Sequence, residues 1–294
     1  METFGRVMTA MITPFDKDLA VNFGEVRKIA RYLADNGSDG IVVAGTTGES
    51  PTLTKEEKLR LFEVVMEEVG DRVTVIAGTG SNVTADSVKL TKEAESIGVH
   101  GVMLVTPYYN KPPQDYLYNH FKTIAANTSL PVMLYNVPGR TGCNLLPDTA
   151  AKLAKIDNIV ALKEASGSLD QVGEIRRKTP DNFMIYSGDD GLTLPLLAVG
   201  CCGVVSVAAH VVGKEMNEMV AALQRGDVEK AKSIHLDLLP VFRAMFITTS
   251  PIPVKAAMNM LGFAAGELRP PLGPAGPAES EVIRKTLLQK GILK

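Results

Sequence analysis

A lysine ends one apolar run of the chain, and a tyrosine stands at the corresponding end of the run before it. Lys163 follows the apolar residues 159–162, and Tyr135 follows 132–134. A lysine is rarely buried unless it is paired or functional. Burial disfavours the charged form, and the neutral amine can attack a carbonyl carbon. The pair therefore indicates Schiff-base chemistry, with the Tyr135 hydroxyl as the group that moves protons.

The same residues have simpler interpretations. A lysine after a strand is commonly a solvated loop residue, and a tyrosine there is commonly a core residue with a hydrogen-bonded hydroxyl. Residues 45–48 fit a tight turn or a phosphate cradle, although the lysine of a Walker loop is missing. Glu49 fits a structural ion pair at least as well as a catalytic role. The acidic pair 189–190 fits a helix start.

Composition excludes several classes of protein. The 294 residues include 31 basic and 33 acidic ones, well mixed and with a net charge of −2, so no basic stripe is available for nucleic acid. No apolar run approaches the roughly 20 residues of a membrane span, and no signal peptide is recognisable. We expect no membrane association and a cytoplasmic location. Three cysteines and four histidines lack metal-ligand spacing, which predicts free thiols and no metal.

Short apolar runs alternate with amphipathic stretches, which is typical of parallel βα units. Eight units predict an α/β fold, the (β/α)8 TIM barrel, because an open doubly wound sheet would carry a glycine fingerprint that is missing. The predicted strands are 7–12, 40–43, 73–77, 101–105, 131–135, 159–163, 183–187 and 203–206, and the predicted helices are 23–36, 55–69, 85–96, 113–126, 147–155, 169–178, 192–199 and 213–225.

The strand pattern stops after residue 226. Helical patterns follow at 228–246, 254–261 and 279–289, with prolines and glycines between the last two. We therefore predict a barrel catalytic domain at 1–226 and a small all-helical C-terminal domain at 227–294.

Residues that follow the strands of such a barrel meet at its C-terminal mouth, where active sites lie. Hydroxyls, glycines and one amine, that of Lys163, converge there. Alternation along a strand places Lys163, Ala161 and Ile159 on one face, and Tyr135 and Met133 on the equivalent face of the preceding strand. The small Ala161 would leave room for a ligand beneath the lysine.

Five segments together resemble the 4-hydroxy-tetrahydrodipicolinate synthase family, formerly called dihydrodipicolinate synthases. They are GTTGES (45–50), TPYYN (106–110), YNVPGRTG (135–142), LKEA (162–165) and SGDD (187–190). The resemblance implies a lyase of lysine and diaminopimelate biosynthesis that condenses pyruvate with L-aspartate 4-semialdehyde. It also implies a covalent pyruvate–lysine Schiff base without a cofactor, and a homotetramer built as a dimer of dimers.

The resemblance implies roles for individual residues. Lys163 would form the Schiff base. Tyr135, Thr46 and Tyr109 would relay protons, with Tyr109 reaching into a neighbouring subunit. The substrate-binding residues would be Thr47 at the pyruvate carboxylate, Arg140 at the semialdehyde carboxylate, and Gly188 with the backbone of Val205 along the pocket.

A regulatory site is also implied, because lysine-inhibited relatives bind the amino acid at the dimer interface. Lys55 and Lys58 stand where inhibited relatives tend to carry histidines. Two ammonium groups would repel cationic lysine, by more than about 1 kcal/mol in a partly desolvated cleft. We therefore expect weak or absent lysine inhibition. The other candidate allosteric residues are Ser50, Asn82, Tyr108 and Asp86, the last in place of a commoner glutamate.

Three other functions are open. N-acetylneuraminate lyases and 2-keto-3-deoxy sugar-acid aldolases share the lysine, the tyrosine and pyruvate, but Arg140 and the pair 46–47 favour the synthase. A non-catalytic pyruvate-binding protein is an alternative of another class, and the intact set of hydroxyls argues against it. A phosphate-binding barrel enzyme is disfavoured by the acidic pair 189–190.

Overall fold

A closed barrel of eight parallel strands forms the centre of the protein in a computed structural model that describes residues 4–294. Each strand pairs with the next, and the eighth pairs with the first. The predicted (β/α)8 barrel is confirmed. The strands are β1 (Val7–Ala10), β2 (Gly40–Val43), β3 (Thr74–Gly78), β4 (Gly101–Val105), β5 (Val132–Asn136), β6 (Ile159–Glu164), β7 (Met184–Ser187) and β8 (Gly203–Ser206).

Helices follow the strands, and local capping fixes where several of them begin. At the start of the second helix, the Thr54 hydroxyl accepts from the Glu57 N–H and the Glu57 carboxylate accepts from the Thr54 N–H. The helices are α1 (Phe23–Asp35), α2 (Lys55–Val69), α3 (Thr84–Ile97), α4 (Gln114–Ala125), α5 (Pro138–Thr141), α6 (Pro147–Leu153), α7 (Leu169–Lys178), α8 (Thr193–Ala198), α9 (Ala209–Gln224), α10 (Val228–Ala244), α11 (Ile252–Met260) and α12 (Pro277–Gln289).

Two apolar layers surround the sheet, one inside the barrel and one between the strands and the helices. The inner layer consists mostly of large side chains, as expected for a barrel of eight strands, whose interior side chains fill it. It contains Phe4, Met8, Ala10, Val42, Ile76, Met103, Met133, Tyr135, Val137, Val160, Ala161, Met184, Tyr186 and Val205.

One part of the predicted strand alternation is wrong. Val132 pairs with Ile159, but the next residue of β5, Met133, pairs with Ala161, so Val160 is an extra residue in β6. Such a bulge changes the alternation of side chains, so that residues before it point to the opposite side of the sheet from the one that strict alternation predicts. Ile159 therefore lies in the outer layer and Val160 in the inner one, whereas Ala161 keeps the predicted inward orientation.

The C-terminal helices share the outer apolar layer with the barrel, through residues such as Leu238 of α10 and Leu287 of α12. The division at residue 227 stays a prediction, and residues 1–3 of the predicted barrel domain lie outside the described part of the chain. Within residues 4–294, no helix is long and apolar enough to cross a membrane, and no three His, Cys, Asp or Glu side chains are grouped to hold a metal ion.

Candidate active site

Lys163 and Tyr135 lie side by side at the mouth of the barrel. They are direct partners in the register of β5 and β6, and the Lys163 nitrogen lies 4.3 Å from the centre of the Tyr135 ring. Each residue is only 5% exposed. A solvated loop lysine is therefore the wrong interpretation of Lys163, because its amine lies against an aromatic face inside the protein.

Burial lowers the pKa of Lys163 from 10.5 to about 8. The Asp190 carboxylate opposes this shift by favouring the ammonium, and the Arg140 guanidinium adds to it. A lysine with this pKa is neutral roughly one time in ten at pH 7, roughly 300-fold more often than an unperturbed one. The site thus supplies the unprotonated amine that Schiff-base formation requires.

Burial also raises the pKa of Tyr135, so its hydroxyl keeps its proton at neutral pH. The Arg140 charge and a hydrogen bond with the Thr46 side chain act in the opposite direction. The Thr46 hydroxyl is thus coupled to a phenol that lies beside the amine. A proton relay through Thr46, Tyr135 and the Lys163 amine stays a prediction.

Thr46 and Thr47 belong to a tight turn after β2, residues 45–50, which we call the threonine turn. The Glu49 N–H donates to the Thr46 carbonyl at 3.0 Å, and the Ser50 N–H donates to the Gly45 carbonyl at 3.2 Å. Thr47 is buried. Of the two alternatives for residues 45–48, the tight turn is the one that the structure contains.

The structure places the three other predicted substrate-binding residues differently relative to Lys163 and Tyr135. These residues are Arg140, Gly188 and Val205. Arg140 lies on α5, a single turn that the sequence did not predict, and its exposed guanidinium donates to the Ser250 carbonyl at 3.1 Å. A Cβ at Gly188 would lie 3.1 Å from Cε of Lys163, so a side chain there would crowd the lysine. Val205 is buried in the inner layer.

Tyr109 is the one predicted catalytic residue that a single chain does not bring to the amine. Its side chain is 89% exposed, and its φ of +74° is rare for a residue other than glycine. The Tyr109 N–H donates to the Thr141 carbonyl at 3.2 Å, which holds this backbone beside α5.

A cavity of about 690 Å³ joins two of the predicted catalytic residues, Thr46 and Tyr135, to most of the predicted allosteric residues. Asn82 instead lines a smaller cavity of about 280 Å³, and its amide donates to the Tyr108 carbonyl at 3.3 Å. Thr46, Tyr135 and Arg140 line the larger cavity at the mouth of the barrel, and Ser50, Lys55, Lys58, Asp86, Lys89 and Tyr108 also line it.

Sequence reasoning interpreted Asp190 incorrectly. The Asp189 carboxylate accepts from the Leu192 N–H at 3.0 Å, in the turn before α8 and so near the helix start predicted for the acidic pair. Asp190 is instead buried, and its Oδ2 accepts from the N–H groups of Val207 and Ala208 at 3.2 and 2.8 Å. Its Oδ1 is buried without a hydrogen-bond partner in the described part of the chain. The sequence does not distinguish the roles of Asp189 and Asp190, because the partners of Asp190 lie just after β8.

A model of the dihydrodipicolinate synthetase family matches residues 3–290. The chain belongs to this family. Relatives include the 4-hydroxy-tetrahydrodipicolinate synthases of Desulforamulus reducens, 58% identical over 97% of this chain and 96% of the relative, and of Desulforudis audaxviator, 58% identical over 99% of both. The crystal structure of dihydrodipicolinate synthase from Cyanidioschyzon merolae with lysine bound has a TM-score of 0.97 and 47% identity, and covers 99% of both chains.

Membership in the dihydrodipicolinate synthetase family confirms the resemblance carried by the five sequence segments. The matched span extends from the barrel through α12, so the C-terminal helices belong to the family's common structure. The names of the full-length relatives favour the synthase over the sugar-acid lyases and over a non-catalytic protein.

Proposed function

We propose that this chain condenses pyruvate with L-aspartate 4-semialdehyde to give 4-hydroxy-tetrahydrodipicolinate, through a Schiff base on Lys163. The observation that carries the proposal is a lysine buried against Tyr135, with a pKa of about 8, in a chain of the dihydrodipicolinate synthetase family. The amine itself activates the carbonyl compound, so the reaction is written without a cofactor. Free thiols at Cys143, Cys201 and Cys202 fit the reducing cytoplasm as its location.

The chemistry follows from the positions of the amine and the hydroxyls. The neutral Lys163 amine attacks the keto carbon of pyruvate, and the carbinolamine loses water to give an iminium. Tyr135 and Thr46 carry the protons that these steps need. Loss of a methyl proton gives an enamine, which attacks the aldehyde carbon of the semialdehyde. The semialdehyde's amino group then displaces Lys163 from the imine carbon and closes the ring.

A steady-state assay with pyruvate and L-aspartate 4-semialdehyde tests the proposal. We expect turnover with this pair and none with N-acetylneuraminate or 2-keto-3-deoxy sugar acids. Faster cleavage of a sugar acid would assign the chain to the lyases instead.

Arg140 is proposed to bind the semialdehyde carboxylate, because a guanidinium presents two parallel donors to a carboxylate and an ammonium does not. We expect Arg140→Lys to raise KM for the semialdehyde by roughly tenfold or more, the value of a charged hydrogen bond. Pyruvate should still be trapped on Lys163 by borohydride. An unchanged KM for the semialdehyde would remove Arg140 from this role.

We propose a homotetramer built as a dimer of dimers, in which Tyr109 completes the site of a neighbouring subunit. The exposure of Tyr109 in the single chain supports this proposal. Light scattering should give the mass of four chains. Co-expression of Tyr109→Phe with Lys163→Met should restore activity that neither variant has alone, because some mixed sites regain both groups. Two inactive variants that stay inactive together would argue against a shared site.

We also propose that L-lysine inhibits this enzyme weakly or not at all. Burial lowers the pKa of Lys58, while an ion pair with Glu93 at 3.0 Å holds Lys55 protonated. Both line the cavity beside the threonine turn, together with Lys89 and one carboxylate, that of Asp86, so lysines outnumber acidic groups around a cationic ligand there. Steady-state rates should not fall at millimolar L-lysine, whereas the neutral variant Lys55→Gln/Lys58→Gln should become more sensitive. Millimolar inhibition of the unmodified enzyme would contradict the proposal.

A further inference from the structure

A buried ion pair connects the threonine turn to the C-terminal helices. The Glu49 Oε1 atom lies 2.7 Å from Nζ of Lys255 on α11, and the two side chains are 1% and 0% exposed. The other carboxylate oxygen of Glu49 accepts a hydrogen bond from the Arg269 N–H at 3.0 Å. The Lys255 ammonium also lies 4.1 Å from the centre of the Phe15 ring. Both oxygens of Glu49 are therefore held by the C-terminal segment.

This ion pair has no evident value as a source of stability. Two charges removed from water lose hydration, and replacing such a pair with neutral groups is often neutral or stabilising. Its position suggests another role. Glu49 has φ +57° and ψ +35°, a left-handed conformation that is costly for a residue other than glycine and persists where the surroundings fix it. Thr46 and Thr47 precede Glu49 in the same turn, so the ion pair constrains their backbone.

The segment just before Lys255 also contacts Arg140, on another side of the site. Ser250 is buried, and its carbonyl accepts the hydrogen bond from the Arg140 guanidinium. The stretch 250–255 thus touches both the threonine turn and Arg140. The barrel alone does not supply these contacts, because both come from residues beyond β8.

We propose that Lys255 is a positioning residue, which acts through Glu49 to hold the hydroxyls of Thr46 and Thr47 in place beside Tyr135. This inference rests on the proposed function. It assigns to the C-terminal helices a direct share in the geometry of the catalytic site. A displacement of about 1 Å in a catalytic group can cost roughly a hundredfold in rate, so the loss of this contact is expected to be measurable.

The double variant Glu49→Gln/Lys255→Met tests the proposal. It removes both charges, so no buried ion is left unpaired, and the glutamine amide keeps an oxygen that can accept from the Arg269 N–H. Only the connection to α11 is lost. We expect KM for pyruvate to rise and the rate of borohydride-trapped adduct formation to fall, each by roughly tenfold or more, with little change in melting temperature. If this variant is insoluble, Glu49→Gln/Lys255→Leu, which is also uncharged at both positions, replaces it.

Leu287→Ala is the matched control, because Leu287 is buried in α12 within the shared apolar layer. It should lower the melting temperature but leave KM for pyruvate unchanged, with rates referred to folded protein. Unchanged pyruvate kinetics in the ion-pair variant, or an equal loss in Leu287→Ala, would overturn the proposal. Adduct formation requires only pyruvate, so a wild-type enzyme that traps pyruvate but rejects the semialdehyde would refute the proposed function without affecting this comparison.

Discussion

Lys163→Met is expected to eliminate both the borohydride-trapped pyruvate adduct and turnover. The substitution keeps a long side chain against Tyr135 but removes the amine that lies there. Without the nucleophile the covalent route is lost, and kcat should fall by at least roughly 10⁴-fold. Mass spectrometry of the trapped protein and a steady-state assay measure the two effects. Undiminished trapping in this variant would place the Schiff base on another lysine.

The same variant is expected to be more stable than the natural protein at pH 7. A lysine whose pKa falls from 10.5 to about 8 on folding costs about 3 kcal/mol at neutral pH. Because the folded pKa is the lower one, the unfolded chain binds more protons between pH 8 and 10.5. The stability of the natural protein therefore rises with pH through this window, relative to that of the variant.

Denaturant unfolding of both proteins at pH 7 and pH 10 measures this difference. We expect the advantage of Lys163→Met to be largest below pH 8 and to shrink as pH rises towards 10.5, because the lysine is then neutral in both states. Other titrating groups are common to the two proteins and cancel in the comparison. If the variant is less stable than the natural protein at pH 7, then burial of Lys163 does not reduce the free energy of unfolding.

Tyr135→Phe is expected to lower kcat by roughly 10²- to 10⁴-fold, the usual contribution of a positioned acid or base. The phenol retains its proton at neutral pH and lies beside the Lys163 amine, so its removal takes away the group that is proposed to move protons there. Pyruvate should still form an adduct on Lys163, but slowly. Borohydride trapping at a series of reaction times would give the rate of adduct formation, and steady-state assays would give kcat.

Tyr186→Phe is a matched control for that experiment. Tyr186 is also buried and pairs with Lys163 in the sheet, but its hydroxyl donates to the Gly5 carbonyl at 3.0 Å, before β1. The Tyr186→Phe variant should be less stable than the natural protein but should have the same kcat. Equal losses of kcat in the two variants would mean that Tyr135 acts through packing rather than through its hydroxyl.

Much of the barrel and the central pair of the site could be predicted from the sequence, because both depend on short-range patterns. Apolar runs separated by amphipathic stretches define the strands, and a cation at the end of such a run is visible without a structure. The bulge at Val160 could not be predicted, since one extra apolar residue in an apolar strand leaves no signal. The short helix α5 is a single turn, too brief for a helical period to be recognised.

The contacts that the sequence could not reveal join distant parts of the chain. Glu49 and Lys255 are 206 residues apart, and the only signal for Lys255 is a lysine within the otherwise mostly apolar stretch 252–258. The burial of Asp190 depends on the N–H groups of Val207 and Ala208 beyond the next strand. Such contacts depend on how the closed barrel and the C-terminal helices bring these segments together.

Peptide mapping after borohydride reduction shows which lysine forms the Schiff base with pyruvate. We expect the peptide containing Lys163, and no other lysine peptide, to gain the mass of one reduced pyruvate. The same protein sample, before reduction, should turn over with L-aspartate 4-semialdehyde. An adduct on a different lysine, or turnover without any adduct, would contradict this expectation.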